Sequence, residues 1–496
     1  MTQNDPTALA ARLGASTQRH FIDGQWQAAA SGETIETRNP ATGAVLTRLA
    51  RGSAEDVARA TAAARRAFTG PWSRWRPAER QELLHRILQH VLAHFDELAL
   101  LETLDMGAPL SRTRSLSGFV RQALLFYASQ VHAGQGQTLA NSLQGDIQTM
   151  TLRAPAGVIG GIIPWNAPLV SLWWIVAPAI ASGCTVVLKP AEDASLTVLR
   201  VAELMVEAGL PEGVVNVVTG LGAEAGAALA ASPEVDRLAF TGSNQTGRAV
   251  IEASASNFKR LQLELGGKSP NIVFADADLD LAVPGAAMAV FNNSGQICYA
   301  GSRLLVERTI LAPFLERLAA FTAGLRVGDG LDDKVQLGPV VSARQLDQIM
   351  GHIAGAHREG ARLIVGGERI LGALSSGYFI EPTIFCDVSN HMAIARQEIF
   401  GPVISVIPFD TPEEALAIAN DTEYGLGAAV WTRNHGLASR FSQLLQAGTV
   451  WVNCYGLIDP AVGFGGIRHS GYGTKGGPSH VLDMFHVTKS VYINRG

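Results

Sequence analysis

Two residues with the chemistry of a covalent catalyst lie on neighbouring glycine-rich segments of this chain. Cys298 sits in FNNSGQICYAGS (291–302), closely after Gly295 and Gln296, in a segment rich in glycine and amides and not the Leu, Val and Ile run usual around a structural thiol. Glu264 ends an apolar run in LELGGKSP (263–270), thirty-four residues earlier. A thiolate attacks carbonyl carbon and a carboxylate takes up protons, so the pair supplies a nucleophile and a base. Taken singly, each also reads as ordinary structure, a core cysteine and a loop glutamate.

A third group is Asn166, held between two prolines in IPWNAP (163–168). Both prolines fix φ and restrict the residue before them, so the loop is stiff. A rigid amide donor suits an oxyanion, where one donor is worth about 10²–10³ in rate; the same Asn would also satisfy a turn. In LKPAED (188–193), Lys189 ends a strand pattern and Glu192 follows three residues later. That pair is able to hydrogen-bond ribose hydroxyls, and its carboxylate would repel a 2′-phosphate, favouring NAD over NADP. As a plain surface ion pair it would be worth about 0–1 kcal/mol. TGSNQTG (241–247) follows a strand and opens a helix, a seat for phosphate or an ordinary turn. It is not the G-x-G-x-x-G fingerprint.

These groups need elements to hold them. From 154 onward apolar strands alternate with helices: strands at 156–164, 185–190, 214–220, 237–242 and 259–267, with helices over 168–182, 195–208, 222–231 and 245–255. Such alternation implies a parallel sheet covered on both faces, with ligands at the carboxyl ends of its strands. Those ends carry Asn166, Lys189, Gly220, Gly242, Ser243 and Glu264. A second α/β unit begins near 266, with strands at 270–274, 303–307, 400–409 and 449–453. Ahead of the first sheet, FIDGQWQ (21–27) reads as a hairpin, 53–68 as a helix capped by Ser53, and 78–107 as one or two amphipathic helices ending at Gly107. None of those early elements calls for chemistry. The alternating tail KSVYIN (489–494) is a strand in want of a partner, a second subunit being one.

Composition narrows the function classes. The chain has 496 residues, 47% hydrophobic and 17% charged, with 52 glycines, and is expected to form two or three packed units. A net charge of −5 gives no general attraction to nucleic acid or anionic membrane, so neither is expected as a partner. The longest apolar run, 169–180, is broken by Pro178 and too short to span a bilayer. Four scattered cysteines, with no zinc-type spacing, read as reduced thiols in a cytoplasmic protein, and the first twenty residues lack the apolar segment of a secretory signal.

In order along the chain, PWNAP, LKPAE, FTGSNQTG, LELGGKSP, FNNSGQICYA, EIFGP (398–402) and WVNCYG (451–456) resemble the NAD(P)-dependent aldehyde dehydrogenase superfamily over roughly residues 20–494. The resemblance implies an α/β, aldehyde dehydrogenase-like fold. A Rossmann-type cofactor-binding domain would take 1–134 and 154–265, an α/β catalytic domain 266–467, and a small β oligomerisation arm 135–153 with 468–496. The arm gives KSVYIN its partner and implies a homo-oligomer, dimer or tetramer. Cys298 would attack the aldehyde to form a thiohemiacetal, Asn166 and the Cys298 N–H would hold its oxyanion, and Glu264 would activate water against the ensuing thioester. Lys189 and Glu192 would meet the adenosine ribose, Ser243 the pyrophosphate, and Glu398 the nicotinamide ribose, with Phe400 beside it. Trp165, Gly222, Gly242 and Gly267 would line the cofactor cleft, with NAD expected ahead of NADP.

The sequence also departs from the family pattern. Relatives acting on carboxylated aldehydes carry Arg eight residues beyond the motif Asn, where this chain has Trp174; the next position, commonly Lys, is Ile175. Tyr299 follows the nucleophile, where a small residue or Thr is usual. Trp174, Tyr299, Leu457 and Ile458 therefore outline a pocket for an uncharged aromatic or aliphatic aldehyde, with betaine aldehyde open as a cation–π alternative. Trp173 and Trp174 cannot both face one tunnel. Thr474-Lys475 replaces the usual Arg-Glu and is expected to change interface or cleft contacts without a catalytic role. An acylating dehydrogenase would lack Glu264, a silent structural member would lose Cys or Glu, and a cofactor-free cysteine hydrolase would need a histidine partner.

Overall fold

Two sheets carry the chemistry, and each is built around strands with almost no exposed residue. The structure, a computed structural model, describes residues 5–496. In the first sheet, strands Arg260–Glu264, Arg237–Thr241, Val158–Ile163, Thr185–Pro190 and Val215–Val217 run parallel in that spatial order. Every residue of Thr185–Pro190 is buried, as a strand with helices over both faces must be. Helix Pro168–Ser182 begins with Pro at its first turn and ends at left-handed Gly183. Helices Leu196–Glu207 and Asn244–Ala253 also stand where the alternation places them. Residues 222–231 differ, because Gly222–Gly226 winds as a wider π-helical turn before helix Ala227–Ala231.

Chain order reverses between Val158–Ile163 and Arg237–Thr241, so their carboxyl ends flank a crevice. Asn166 leaves one side of it and Gly242 the other. The hairpin His20–Ile22 with Gln25–Gln27 extends this sheet at one edge. Gly471–Tyr472 closes the other edge, pairing antiparallel with Leu263 and Glu264. Helix Ala54–Thr69 starts after Ser53, whose N–H donates to Asp56 at 2.8 Å. Helices Pro77–Ala93 and Phe95–Met106 stop at left-handed Gly107.

The second sheet runs Arg362–Val365, Thr383–Cys386, Val403–Phe409, Arg303–Glu307, Pro270–Val273, Gly427–Trp431 and Thr449–Val452, parallel except for its first member. Three of these strands, 362–365, 383–386 and 427–431, were not among the expected ones. The strand expected from 400 starts at Val403, because Phe400 takes φ +56° and breaks the extended run. The tail strand His486–Asn494 pairs antiparallel with Ile147–Pro155 of the same chain, giving a small separate sheet with Thr138–Leu139. Among the described residues no helix is long and apolar enough to cross a membrane, and no cluster of His, Cys, Asp and Glu is arranged to hold a metal.

Candidate active site

Helix Leu279–Phe291 delivers the chain to the cysteine through a sharply bent segment. Asn293, Ser294 and Gly295 take φ of +53°, +54° and +75°, three left-handed residues in succession. Two of them are not glycine, and such strain persists only where surrounding contacts over-determine it. Those contacts are present: Ser294 Oγ donates to the Gly338 carbonyl at 2.7 Å, Gln296 Nε2 to the Asn293 carbonyl at 3.1 Å, and the Val341 N–H to Gln296 Oε1 at 2.8 Å. Gly295 itself lies so close to the Gly401–Pro402 backbone that a Cβ would sit 2.0 Å from the Gly401 carbonyl atoms. The bend presents Cys298 partly open to the crevice.

Asn166 joins the same cluster. Its Nδ2 donates to the Gln296 carbonyl at 2.9 Å, while Asn293 Nδ2 donates to the Asn166 carbonyl at 3.0 Å. One Asn166 amide hydrogen is thereby used and the other left. The N–H of Cys298 meets no protein acceptor among the described residues.

Glu264 arrives from the end of its strand, buried, with Leu265 N–H donating to the Ser470 carbonyl at 3.0 Å. Its two oxygens differ: Oε2 faces Lys475 Nζ at 3.4 Å, and Oε1 has no hydrogen-bond partner. Desolvation first, and then the negative charge of Glu264, push the Cys298 thiol well above its ordinary value, with Lys475 opposing. The following glycines permit close packing, since a Cβ on Gly267 would come within 2.5 Å of the Cys298 carbonyl and one on Gly266 within 2.3 Å of Glu398. Glu398 is pinned there by the Gly267 N–H, which donates to Oε1 at 3.2 Å, and burial raises its carboxyl to about 7.

The other expected residues surround this centre. Trp165 and Phe400 meet edge to face with centroids 5.1 Å apart. Lys189 is buried along its strand and its Nζ reaches Glu192 at 2.8 Å; burial works against the Glu192 charge, yet this contact holds the carboxyl below its usual range. Gly222 lies over that pair, its would-be Cβ no nearer than 4.0 Å to Lys189 Nζ. Ser243 caps helix Asn244–Ala253, accepting from the Thr246 N–H at 3.2 Å, and Gly242 N–H donates to the Glu264 carbonyl at 3.1 Å.

Tyr299 packs against Trp451 and Phe464 at 5.6 and 5.7 Å, with Ile458 in the same cluster beside Cys298. Leu457 is 69% exposed, apart from that packed wall. Trp173 is fully buried in the core, and Trp174, also buried there, meets Phe119 at a tilt of 58° with centroids 5.3 Å apart. Trp451 and Phe464 were missed because nothing in their local spacing marks them as pocket residues.

Two findings correct the sequence reading. Lys475, expected to have no part in the catalytic centre, is buried with its Nζ between Thr241 Oγ1 at 2.6 Å and Glu264. The region before residue 150 does reach the site. Arg112 carries a buried, unpartnered Nη1 and has the Glu102 carboxyl and the Tyr299 phenol as electrostatic neighbours, and Glu102 accepts from the Leu169 N–H at 3.1 Å, at the start of the helix that follows Asn166. Burial raises Glu102 to about 7, with Arg112 opposing.

A crevice at the strand reversal thus brings a thiol on a bent loop, an amide and a carboxylate to one end of the first sheet. The profile of the aldehyde dehydrogenase family matches residues 26–491, and this chain belongs to that family. The chain is 46% identical over 478 residues to the mitochondrial aldehyde dehydrogenase of Homo sapiens, covering 95% of this chain and 91% of that one. It is 45% identical over 471 residues to the mitochondrial benzaldehyde dehydrogenase of Antirrhinum majus, covering 94% and 87%. A solved Staphylococcus aureus betaine aldehyde dehydrogenase in complex with NAD+ superposes with a TM-score of 0.96 at 36% identity, covering 99% of this chain and 97% of that one. The protein is thus an aldehyde dehydrogenase.

Proposed function

We propose that this protein uses NAD to oxidise an uncharged aromatic or aliphatic aldehyde to its carboxylic acid, with Cys298 as nucleophile and Glu264 as general base. The observation that carries the reading is the convergence of Cys298, the Asn166 amide and Glu264 at one end of the first sheet.

The residues present fit a dinucleotide. Lys189 and Glu192 form a cation–carboxylate pair suited to ribose hydroxyls, exposed Ser243 opens a ten-residue helix whose N–H groups favour a pyrophosphate, and Glu398 with the Trp165–Phe400 pair borders the reacting end. Gly222, Gly242 and Gly267 keep the intervening backbone free of side chains. When bound, NAD+ accepts the hydride released from the substrate carbon.

The protein's own groups do the rest. The Cys298 thiol gives up its proton to Glu264, which passes it on to solvent before the hydrolytic step, as the sulfur adds to the carbonyl carbon and forms the C–S bond of a thiohemiacetal. The remaining Asn166 amide hydrogen and the Cys298 N–H hold the oxyanion. After the hydride has left, the carbon is a thioester. Glu264 Oε1, free of protein partners, takes a proton from water as its oxygen attacks the thioester; the C–S bond breaks, and acid and thiolate part. The charged groups acting on Cys298 are Glu264, Lys475 and Glu398 and include no histidine, which disfavours a cysteine hydrolase.

The relative named for benzaldehyde supports an aromatic substrate, as does the Tyr299, Trp451 and Phe464 wall beside the thiol. The betaine aldehyde reading draws on the same aromatics and on the solved relative of that name. Lys475 and Arg112 weigh against it, since a quaternary ammonium would enter beside two cations. The test is NADH formation at 340 nm with benzaldehyde-like, medium-chain aliphatic, betaine and succinate-semialdehyde substrates. The highest kcat/KM is expected for an uncharged member; a preference for the succinate compound would overturn the substrate class and assign Arg112 to its carboxylate.

A further inference from the structure

Lys475 is a buried cation supplied to the active centre from a loop far along the chain. It belongs to the segment following the edge strand Gly471–Tyr472, which runs antiparallel to Leu263 and Glu264. Its backbone is clamped to Phe464 in both directions, at 2.7 and 2.6 Å, so it cannot drift from the aromatic wall. Its side chain reaches inward to Thr241 Oγ1 at 2.6 Å and Glu264 Oε2 at 3.4 Å. Around this pair stand Cys298 and Glu398, whose thiol and carboxyl both feel the Glu264 charge, then Tyr299, and His480 behind the lysine. Two carboxylates and a thiol therefore crowd one desolvated space. Lys475 is the cation that touches the carboxylate assigned as base.

We propose that Lys475 is a positioning residue for the reaction: it fixes the Glu264 carboxylate by its Oε2, leaves Oε1 free for water, and so sets the rate at which the acyl-enzyme is hydrolysed. The proposal rests on the reading of Glu264 as the base. The direction follows from the contact. Without the ammonium, Glu264 loses the partner of its Oε2 and its Oε1 is no longer held toward the water, so hydrolysis slows while acylation of the thiol goes on. The same charge opposes the push of Glu264 on the Cys298 thiol, so one lysine acts on both halves of the cycle.

The test uses the full-length protein and p-nitrophenyl acetate, which acylates a nucleophilic thiol without any cofactor; nitrophenolate released in the burst reads acylation, and the steady state that follows reads hydrolysis of the acyl-enzyme. In K475M, steady-state turnover is expected to fall about tenfold or more, with the burst of one nitrophenolate per site retained. K475R, which keeps the charge and a donor, should restore most of the lost turnover. K475M turnover equal to wild type overturns the proposal, as does K475R turnover as low as that of K475M, since the cation would then not be what matters. E264Q separates the two levels of inference. If it stalls after the burst while K475M turns over like wild type, only the role of Lys475 falls; if E264Q itself turns over like wild type, the base assignment falls and the proposal with it.

Discussion

Replacing Gly295 by alanine adds one carbon to the molecule, and the structure sets what that carbon must do. The new Cβ would lie 2.0 Å from the Gly401 carbonyl atoms and 2.6 Å from the Pro402 nitrogen, against 3.4 Å for ordinary contact. Because the obstacles are backbone, no side chain can swing aside, and the loop or its neighbour must move by about 1.4 Å. Left-handed φ at a residue bearing a Cβ adds roughly 1–2 kcal/mol. The loop must also keep Asn293 and Ser294 in their own left-handed wells. A displacement of about 1 Å in a reacting group costs on the order of 10² in rate, so G295A is expected to lose at least a hundredfold in kcat/KM for aldehyde oxidation. The assay is NADH formation under saturating nucleotide, paired with nucleotide binding to show that the first sheet is intact. Activity within threefold of wild type would refute the claim that this backbone contact positions the thiol.

Other expectations follow from the same geometry. C298A should abolish aldehyde oxidation while still binding nucleotide by calorimetry, and retained turnover would remove the thiohemiacetal route. With aldehyde and NAD, E264Q should give a first-turnover burst of NADH and then stall, as seen in stopped flow; an unchanged steady state would mean that another base serves. Burial and Glu264 hold the thiol above its ordinary value, so its alkylation by iodoacetamide should still be rising with pH above 8; a rate already level by pH 7 would contradict that environment. E192S should lower the ratio of NAD to NADP in kcat/KM, and an unmoved ratio would show that Glu192 does not meet the ribose.

The first sheet was legible because its strands are apolar throughout and its helices punctuated: 168–182 came through residue for residue, bounded by a proline and a glycine. Gly427–Trp431 was not, because glycine and alanine leave little strand signal until the neighbours on both sides bury them. Helix Leu110–Ser129 opens with serine and arginine and hides its apolar positions in a polar stretch. Cys298, Glu264 and Asn166 announced themselves through unusual neighbours. Lys475 did not, since its meaning lies in a contact with Glu264 across 211 positions, which no local spacing encodes. Arg112 escaped for the same reason.

The tail strand gives that distant lysine a mechanical context. Lys475 precedes a short helix, Gly477–Phe485, whose inner face enters the main core through Val481, Met484 and Phe485. The helix leads directly into the nine residues zipped along Ile147–Pro155. The last twenty residues thus act as a guy-rope, anchored in the small sheet and drawn taut across the core, with the active-site cation at its near end. Shortening the chain from its carboxyl end would slacken that line and loosen the contact of Lys475 with Glu264 from a distance.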